Sequence, residues 1–252
     1  MGTTESVLQS LRAVDAWIDV INANVGGGVR TAYKTSRLKF AGSNANVLKA
    51  GTSQALPLQM PESSLMVAET HTDFTQGAIT SGNENCHLAI QGQGFFVLNK
   101  QSGLGNDYFT RDGEFHLDKQ GYLVHSSGLY LFDALSNELV WDDSFGGSPP
   151  LVTDNLLSVF TAQGGLNLVI IPDIQMMEYT RFGATVFNYP LPNTQTGTTA
   201  DSHILSKSLE ASNASMTQSV PELSLAQKLF SALTKVIQTS QTDTDAVINL
   251  VR

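Results

Sequence analysis

The stretch Val7-Leu8-Gln9-Ser10-Leu11-Arg12-Ala13-Val14-Asp15-Ala16-Trp17-Ile18-Asp19-Val20-Ile21-Asn22-Ala23-Asn24-Val25 decides how the rest of the chain is read. Its aliphatic residues Val7, Leu11, Val14, Ile18, Ile21 and Val25 recur at alternating spacings of four and three. That is a heptad seam, the pattern that lets one helix lie along another. At 1.5 Å per residue the segment makes a rod roughly 28 Å long, which Gly26, Gly27 and Gly28 are expected to stop. An isolated helix of this length is marginal in water. The seam therefore needs a partner, either elsewhere in the chain or on another subunit.

A matching pattern closes the sequence. Pro221 sits where a helix can begin, because its missing N–H goes unused in a first turn. Leu225, Leu229, Leu233, Val236 and Ile237 then form one apolar face, which Val247, Ile248, Leu250 and Val251 extend. Between the two helices the period changes to two. His87 to Ile90, Phe95 to Leu98, Tyr108 to Arg111, Phe115 to Asp118, Tyr122 to Val124 and Leu129 to Phe132 read as short strands separated by glycine turns. Asp112-Gly113 between two such runs predicts a hairpin, since both residues tolerate positive φ. Leu156 to Phe160, a buried Leu166 to Ile171 and Phe182 to Tyr189 read as further strands. Asp173 to Arg181 is ambiguous, and Asn193 to Asp201 reads as a loop.

The expected fold class is α+β: terminal α-helices forming a coiled-coil-like pair, with a central, mainly antiparallel β-domain. The expected divisions are an N-terminal helix and exit segment over 1–40, an irregular connector over 41–66, a β-rich domain over 67–205 and a C-terminal helical segment over 206–252. The connector is assigned from its Gly, Ser, Asn, Gln and proline content, which suits a link between separate parts.

Composition narrows the function. The formal net charge of −9 and the absence of any Lys/Arg cluster disfavour a nucleic-acid partner. Cys86 is the one cysteine, so no internal disulfide forms. No run of eighteen apolar residues predicts a transmembrane segment, and no basic stretch precedes an apolar core as in a cleaved secretory signal. Met1 to Ser6 fits a loose myristoylation pattern and Asn213-Ala214-Ser215 a glycosylation sequon, both too short to carry weight.

Catalytic chemistry is not expected either. His71, His87, His116, His125 and His203 include no i, i+4 pair of the helical zinc type, and read as solvated strand positions. Cys86 and His87, as neighbours on a strand, point to opposite faces and do not pair. Gly92-Gln93-Gly94 lacks the third glycine and the helix of a phosphate loop. No catalytic, cofactor-binding or metal-ligating residue is assigned, and no cofactor is expected.

Several stretches together resemble the bacterial flagellar rod and hook family of axial proteins, most closely its distal-rod type. There a terminal helix runs into a segment of the form Asn-Asn-Leu-Ala-Asn-Val-Asn-Thr-Thr-Gly-Phe-Lys-x-Ser-Arg. Ala23 to Arg37 holds the same register: Asn24, Thr31, Lys34, Ser36 and Arg37 match, and Tyr33 replaces an aromatic. Gly26 to Gly28 replace Ala-Asn-Val, and Ala32 stands where the family has glycine. Phe74 to Gly77, Ser81-Gly82-Asn83 and Leu88 to Phe96, with Gly92, Gly94, Phe95 and Phe96, are similar to the family's entry into its β-domain. Tyr108 to Phe115, with Arg111 and Gly113, and Asp118 to Val124, with Gly121, continue the likeness. Leu209 to Asn213, with Ser212 and Asn213, and Lys235 to Thr239 complete it.

The resemblance implies a structural subunit of the flagellar basal-body rod or hook. It implies export through the flagellar type III apparatus without a cleaved signal peptide, and self-association into a helical tube that meets neighbouring rod and hook proteins and transmits motor torque. Val7, Leu11, Val14, Ile18, Ile21, Val25, Leu225, Leu229, Leu233, Val236, Ile237 and Ile248 are then the expected subunit interface. The alternative is a soluble β-rich domain that binds a carbohydrate or protein ligand, its two helices forming a self-contained core.

Overall fold

The computed structural model describes residues 2–42, 46–49, 58–60, 64–100, 107–132, 166, 168–190, 195–196 and 202–250. It has two helices at the ends of the chain and a central antiparallel sheet, an α+β architecture. The chain divides into two units. One comprises Met1–Gly26, Ser36–Asp73 and Ser215–Arg252, and the other Gly27–Thr35 and Phe74–Ala214.

The helical unit is built on α1 (Gly2–Gly27) and α2 (Met216–Leu250). Val14, Ile21 and Ala226 are its buried apolar centre, with Trp17, Ile18, Val25, Leu65, Leu223 and Leu233 packed against them. The predicted seam of α1 thus faces inward over Val14 to Val25, while Val7 and Leu11 are half-buried. The glycine run ends α1 as expected, with Gly27 the last helical residue and a turn at Gly28. Pro221, by contrast, does not open α2. The helix starts at Met216, where Gln218 and Ser219 N–H groups donate to the Ser215 carbonyl, and Pro221 lies inside it. A proline close to the start removes only one intrahelical bond.

Residues 41–66, expected as an irregular connector, contain paired strands. Strand β1 (Ser36–Gly42) runs antiparallel to β4 (Leu65–Thr72), with Ser36 opposite Thr72 and Gly42 opposite Leu65. Between them β2 (Asn46–Lys49) pairs with β3 (Leu58–Met60). The glycines and prolines masked short runs of alternating character, and this arm belongs with the helices rather than linking them to the sheet. Trp17 meets Phe40 edge to face at 5.6 Å, and Leu65 N–H donates to Ser10 Oγ.

The β-unit is organised on a seven-stranded antiparallel sheet. Its strands are β7 (Phe96–Asn99), β8 (Tyr108–Thr110), β9 (Phe115–Leu117), β10 (Leu123–His125), β11 (Tyr130–Phe132), β13 (Glu178–Thr180) and β14 (Gly183–Asn188). Their order is β13-β14-β8-β7-β11-β10-β9. Three two-stranded pairings border it: β6 (Leu88–Gln91) with β16 (His203–Ser206), β5 (Ile79–Ser81) with β17 (Ser208–Glu210), and β12 (Val169–Ile170) with β15 (Gln195–Thr196). Phe96 and Leu98 enter one apolar cluster with Leu88, Ile90, Phe115 and Leu123, whereas Phe95 and Val97 enter a second with Phe109, Phe132 and Ile171. The period-two alternation therefore buries β7 on both faces, as a central strand requires.

The hairpin expected at Asp112-Gly113 is absent. β8 pairs with β7 and β14, while β9 pairs with β10, so residues 111–114 cross from one part of the sheet to another. The histidine reading is also corrected. His87 and His125 are buried, whereas His116 and His203 are exposed. Cys86 sits in a turn before β6, not on a strand. The expected strand Leu156 to Phe160 lies outside the described residues.

Candidate assembly surface and buried charge clamp

Two features of this chain ask for a functional account: a helix with little to bury it, and a buried ionic cluster where the family-like motifs converge.

The helix is α2. It spans 35 residues, of which only Ser219 and Ala226 are buried. Of the predicted apolar face, Leu233 and Ile237 are half-buried on the side turned to the core of the unit. Leu225, Leu229, Val236 and Ile248 are exposed, as are Val247 and Leu250. At about 1.5 Å per residue such a helix is roughly 52 Å long. Two buried residues cannot hold a rod of that length, because most helical stability in proteins comes from tertiary packing of an apolar face. Threonines in its outer half prepare it for burial. Thr234, Thr239, Thr242 and Thr244 each donate a hydroxyl hydrogen bond to the carbonyl four residues back. A partner can cover them without orphaning a polar group.

The clamp lies in the β-unit and centres on Glu210 at the end of β17, fully buried. Its Oε1 accepts from Lys34 Nζ at 2.6 Å and from Gly77 N–H at 2.9 Å, and its Oε2 accepts from Arg111 Nε at 2.9 Å. Lys34 also donates to the Thr75 carbonyl. Arg111 donates from Nη1 to the Gly94 carbonyl and from Nη2 to those of Gly92 and Ile90, and lies over the Phe95 ring. One carboxylate so gathers five segments distant in sequence: 27–35, the entry at 75–77, the glycine bend at 92–94, the crossover at 111 and the end of β17. Buried charges persist only when paired and hydrogen-bonded, and this set meets that condition.

Most motif residues singled out from sequence fall around the clamp. Gly77 has no room for a side chain, because a Cβ there would overlap the Ala211 carbonyl oxygen. Gly92 and Gly94 adopt positive φ, turning their carbonyls onto Arg111. Asn213 Oδ1 accepts from both the N–H and the hydroxyl of Thr35, and its Nδ2 donates to the Thr75 carbonyl. Ser212 caps the Ala214 N–H, and Tyr33 is buried over Gly27. Burial, reinforced by Tyr179 and partly offset by Arg30, raises the pKa of the Tyr33 phenol. Gly82 N–H donates to Lys207 O, Gly121 occupies a turn with positive φ, and Asn83 is exposed away from the cluster. Asn24 belongs to the helical unit, where its side chain exchanges two hydrogen bonds with the Ser36 backbone.

Glu210 itself escaped the sequence reading, although it lies inside the Leu209 to Asn213 motif. The available signal was one acidic residue between Leu209 and Ala211, in a chain only 15% charged. A second polar group was missed beside it. Asp112 Oδ1 accepts from the Thr31 hydroxyl at 2.8 Å and from Glu114 N–H, and its Oδ2 lies 3.4 Å from His125 Nε2. That last separation permits attraction but falls outside hydrogen-bond geometry. His125 Nδ1 accepts from Ser127 N–H, which leaves the ring proton on Nε2, facing Asp112. The Thr31 contact anchors segment 27–35 and the His125 contacts the β10–β11 turn, and Thr31, Asp112, Glu114, His125, Ser127 and Thr185 line a cleft of about 390 Å³.

Two local predictions follow from this geometry. Ala32 holds φ +50° where the family pattern has glycine, a conformation unfavourable by roughly 1 kcal/mol for a residue with a Cβ. Ala32→Gly is expected to leave stability unchanged or raise it by up to about 1 kcal/mol in denaturant unfolding, the gain in strain being offset by glycine's greater chain entropy. A loss above that size would contradict the strain account. Burial, with Glu84 nearby, pushes the Cys86 thiol up to about 11 from an ordinary 9.0. Its thiolate at pH 8 is then about 100-fold scarcer than that of an exposed cysteine. Iodoacetamide should modify it correspondingly slowly in the folded chain and at the normal rate in urea; equal rates would show the thiol to be open.

The chain is similar to known proteins. A family model described as the flagellar hook protein FlgE/F/G D1 domain matches residues 89–140. The flagellar basal-body rod protein FlgG of Bacillus subtilis is 24% identical over 265 residues, covering 98% of both chains. The flagellar basal-body rod protein FlgF of Caulobacter vibrioides is 26% identical over 221 residues, 87% of this chain and 85% of that one. The flagellar hook protein FlgE of Helicobacter pylori is 33% identical over 130 residues, 49% of this chain and 18% of that one. The region of the model match contains β7 to β11 and Arg111, and the full-length likeness to rod proteins adds both terminal helices. Along nearly its whole length the chain is thus similar to bacterial flagellar rod proteins, and over residues 89–140 to the D1 domain of the FlgE/F/G hook proteins.

Proposed function

We propose that this chain is a structural subunit of the flagellar rod or hook that polymerises through its terminal helices into a torque-bearing helical tube. The observation that carries the reading is α2: 35 residues with two buried, and an apolar stripe of Leu225, Leu229 and Val236 left in solvent. Contiguous exposed apolar surface of this kind marks an interaction site. The buried clamp fits a mechanical part, because it ties distant segments of the β-unit to one carboxylate. The neighbouring rod and hook proteins are its partners, and the flagellar basal body its location. Passage through the type III export apparatus without a cleaved signal belongs to the same reading. A soluble binding domain with a self-contained helical core is disfavoured by how little α2 buries within the chain.

The stripe supplies the test. Leu225→Asp/Leu229→Asp should abolish concentration-dependent self-association in sedimentation velocity while leaving the unfolding midpoint of the β-unit unchanged. In the monomer, residues 216–250 should be cleaved by protease well before residues 74–132, and assembly should protect them. Equal resistance of both parts in the monomer would count against the reading.

A further inference from the structure

α2 carries two seams, and only one is used within the chain. The inner seam runs Ser219, Leu223, Ala226, Phe230, Leu233 and Ile237, at spacings of four and three. Ser219 and Ala226 are buried in it, Leu223 and Leu233 pack against the cluster of Val14, Ile21 and Ala226, and Phe230 at its edge is exposed. The outer seam is Leu225, Leu229, Ala232 and Val236, at spacings of four, three and four, all four exposed. It is offset by one residue, about 100° round the helix. Lys228 and Lys235, both exposed, border it on one side. A helix with two seams is built to pack on two partners at once.

We infer that the outer seam of α2 docks antiparallel on the outward face of α1 from a second copy, with Lys228 and Lys235 on Asp19 and Asp15. This rests on the polymer-subunit reading above and adds its register. The outward face of α1 bears Asp15 and Asp19, exposed and one turn apart. Beside them run Ala16, Val20 and Ala23, at spacings of four and three; Ala23 is exposed and the other two half-buried. Run antiparallel, Leu225 meets Ala23, Leu229 meets Val20 and Ala232 meets Ala16, matched to within one residue. The same register sets Lys228 and Lys235 each within about two residues, some 2–3 Å along the axis, of Asp19 and Asp15, and lysine's flexible stem spans that offset.

Charge decides the occupant. The chain carries −9 overall, so two copies repel wherever acidic surfaces meet. None of Asp15, Asp19, Lys228 and Lys235 forms an ion pair among the described residues. Two unpaired lysines flanking an open apolar seam give attraction where most of the surface gives repulsion. Because the two faces differ, the contact is head-to-tail, and repetition produces an open helical polymer instead of a closed dimer.

The experiment uses the full-length chain and follows assembly by sedimentation velocity and negative-stain microscopy. Lys228→Glu/Lys235→Glu should raise the concentration needed for assembly at least tenfold, as should Asp15→Lys/Asp19→Lys. An equimolar mixture of the two variants, or the fourfold swap, should recover most of the loss. Reversed chains that assemble like the wild type, while Leu225→Asp/Leu229→Asp still prevents assembly, overturn the register and leave the polymer reading standing. A wild-type chain that stays monomeric up to millimolar concentration, in the presence of the neighbouring rod proteins, overturns both. Circular dichroism of each variant separates loss of contact from loss of helix.

Discussion

Glu210→Ala should destabilise the β-unit by about 3–5 kcal/mol, the range for removing one partner of a buried ion pair. The substitution deletes the acceptor of Lys34 Nζ, of Arg111 Nε and of the Gly77 N–H together. Lys34 keeps the Thr75 carbonyl and Arg111 keeps those of Gly92 and Gly94, but both cations lose their counter-charge in a site closed to water. For a unit of this size the expected fall in Tm is roughly 10 °C. Glu210→Gln separates charge from shape. It preserves the volume yet turns one oxygen into a donor facing Lys34 or Arg111, so most of the loss should persist. A change below about 1 kcal/mol in either variant would mean that solvent reaches the cluster and the clamp is not one.

Gly113→Ala is the second large effect, about 3 kcal/mol or more, at the upper end for one substitution. A Cβ at this position would overlap the Leu88 carbonyl oxygen, and that contact is backbone on backbone. The Gly113 carbonyl also accepts from Leu88 N–H at 3.0 Å, so the two chains cannot separate without breaking a buried hydrogen bond. Leu88 opens β6 and Phe115 opens β9, both in the same apolar cluster, so any shift propagates into the core. Denaturant unfolding of Gly113→Ala beside Gly128→Ala is the informative comparison. Gly128 has positive φ but open space around its Cβ position, so its alanine variant meets only backbone strain of roughly 1–2 kcal/mol. Equal losses would show that packing at Gly113 is not the governing term.

The same residue shows what local pattern conveys and what it does not. Asp112-Gly113 suits a tight turn, and read alone it predicts one. The glycine is required for a different reason, the close pass of the Leu88 carbonyl, which no local signal reports. Short apolar runs between glycine turns identified β6 to β11, and spacings of four and three identified α1 because one stripe of it faces inward. The arm β1–β4 was hidden by its composition: glycines, serines and prolines in its outer part outweighed the short alternation from Arg37 to Phe40. His87 and His125 looked like solvated strand positions since nothing nearby in sequence predicts the groups that bury them. The clamp was half legible. Its glycines, Lys34, Arg111 and Asn213 stood out as motif residues, but their convergence on Glu210 depends on pairing between segments as far apart as 34 and 210.

The helices divide in the same way. Leu225, Leu229, Leu233, Val236 and Ile237 read as one apolar face, whereas the fold splits them between the side of α2 turned to Val14 and Ile21 and the side left in solvent. A heptad-like run shows that a helix has partners; it does not show how many, nor which chain supplies them. The division of that face is what turns a helix-pair expectation into an assembly surface.

The central claim, that the outer apolar face of α2 is buried by other subunits, is tested most directly by following a tagged copy into purified hook-basal bodies. The chain should be recovered in the rod or hook, and Leu225→Asp/Leu229→Asp should remove it from the particles while leaving a folded monomer outside them. Wild-type chain absent from the rod and hook, or the stripe variant incorporated as efficiently as the wild type, would contradict the account.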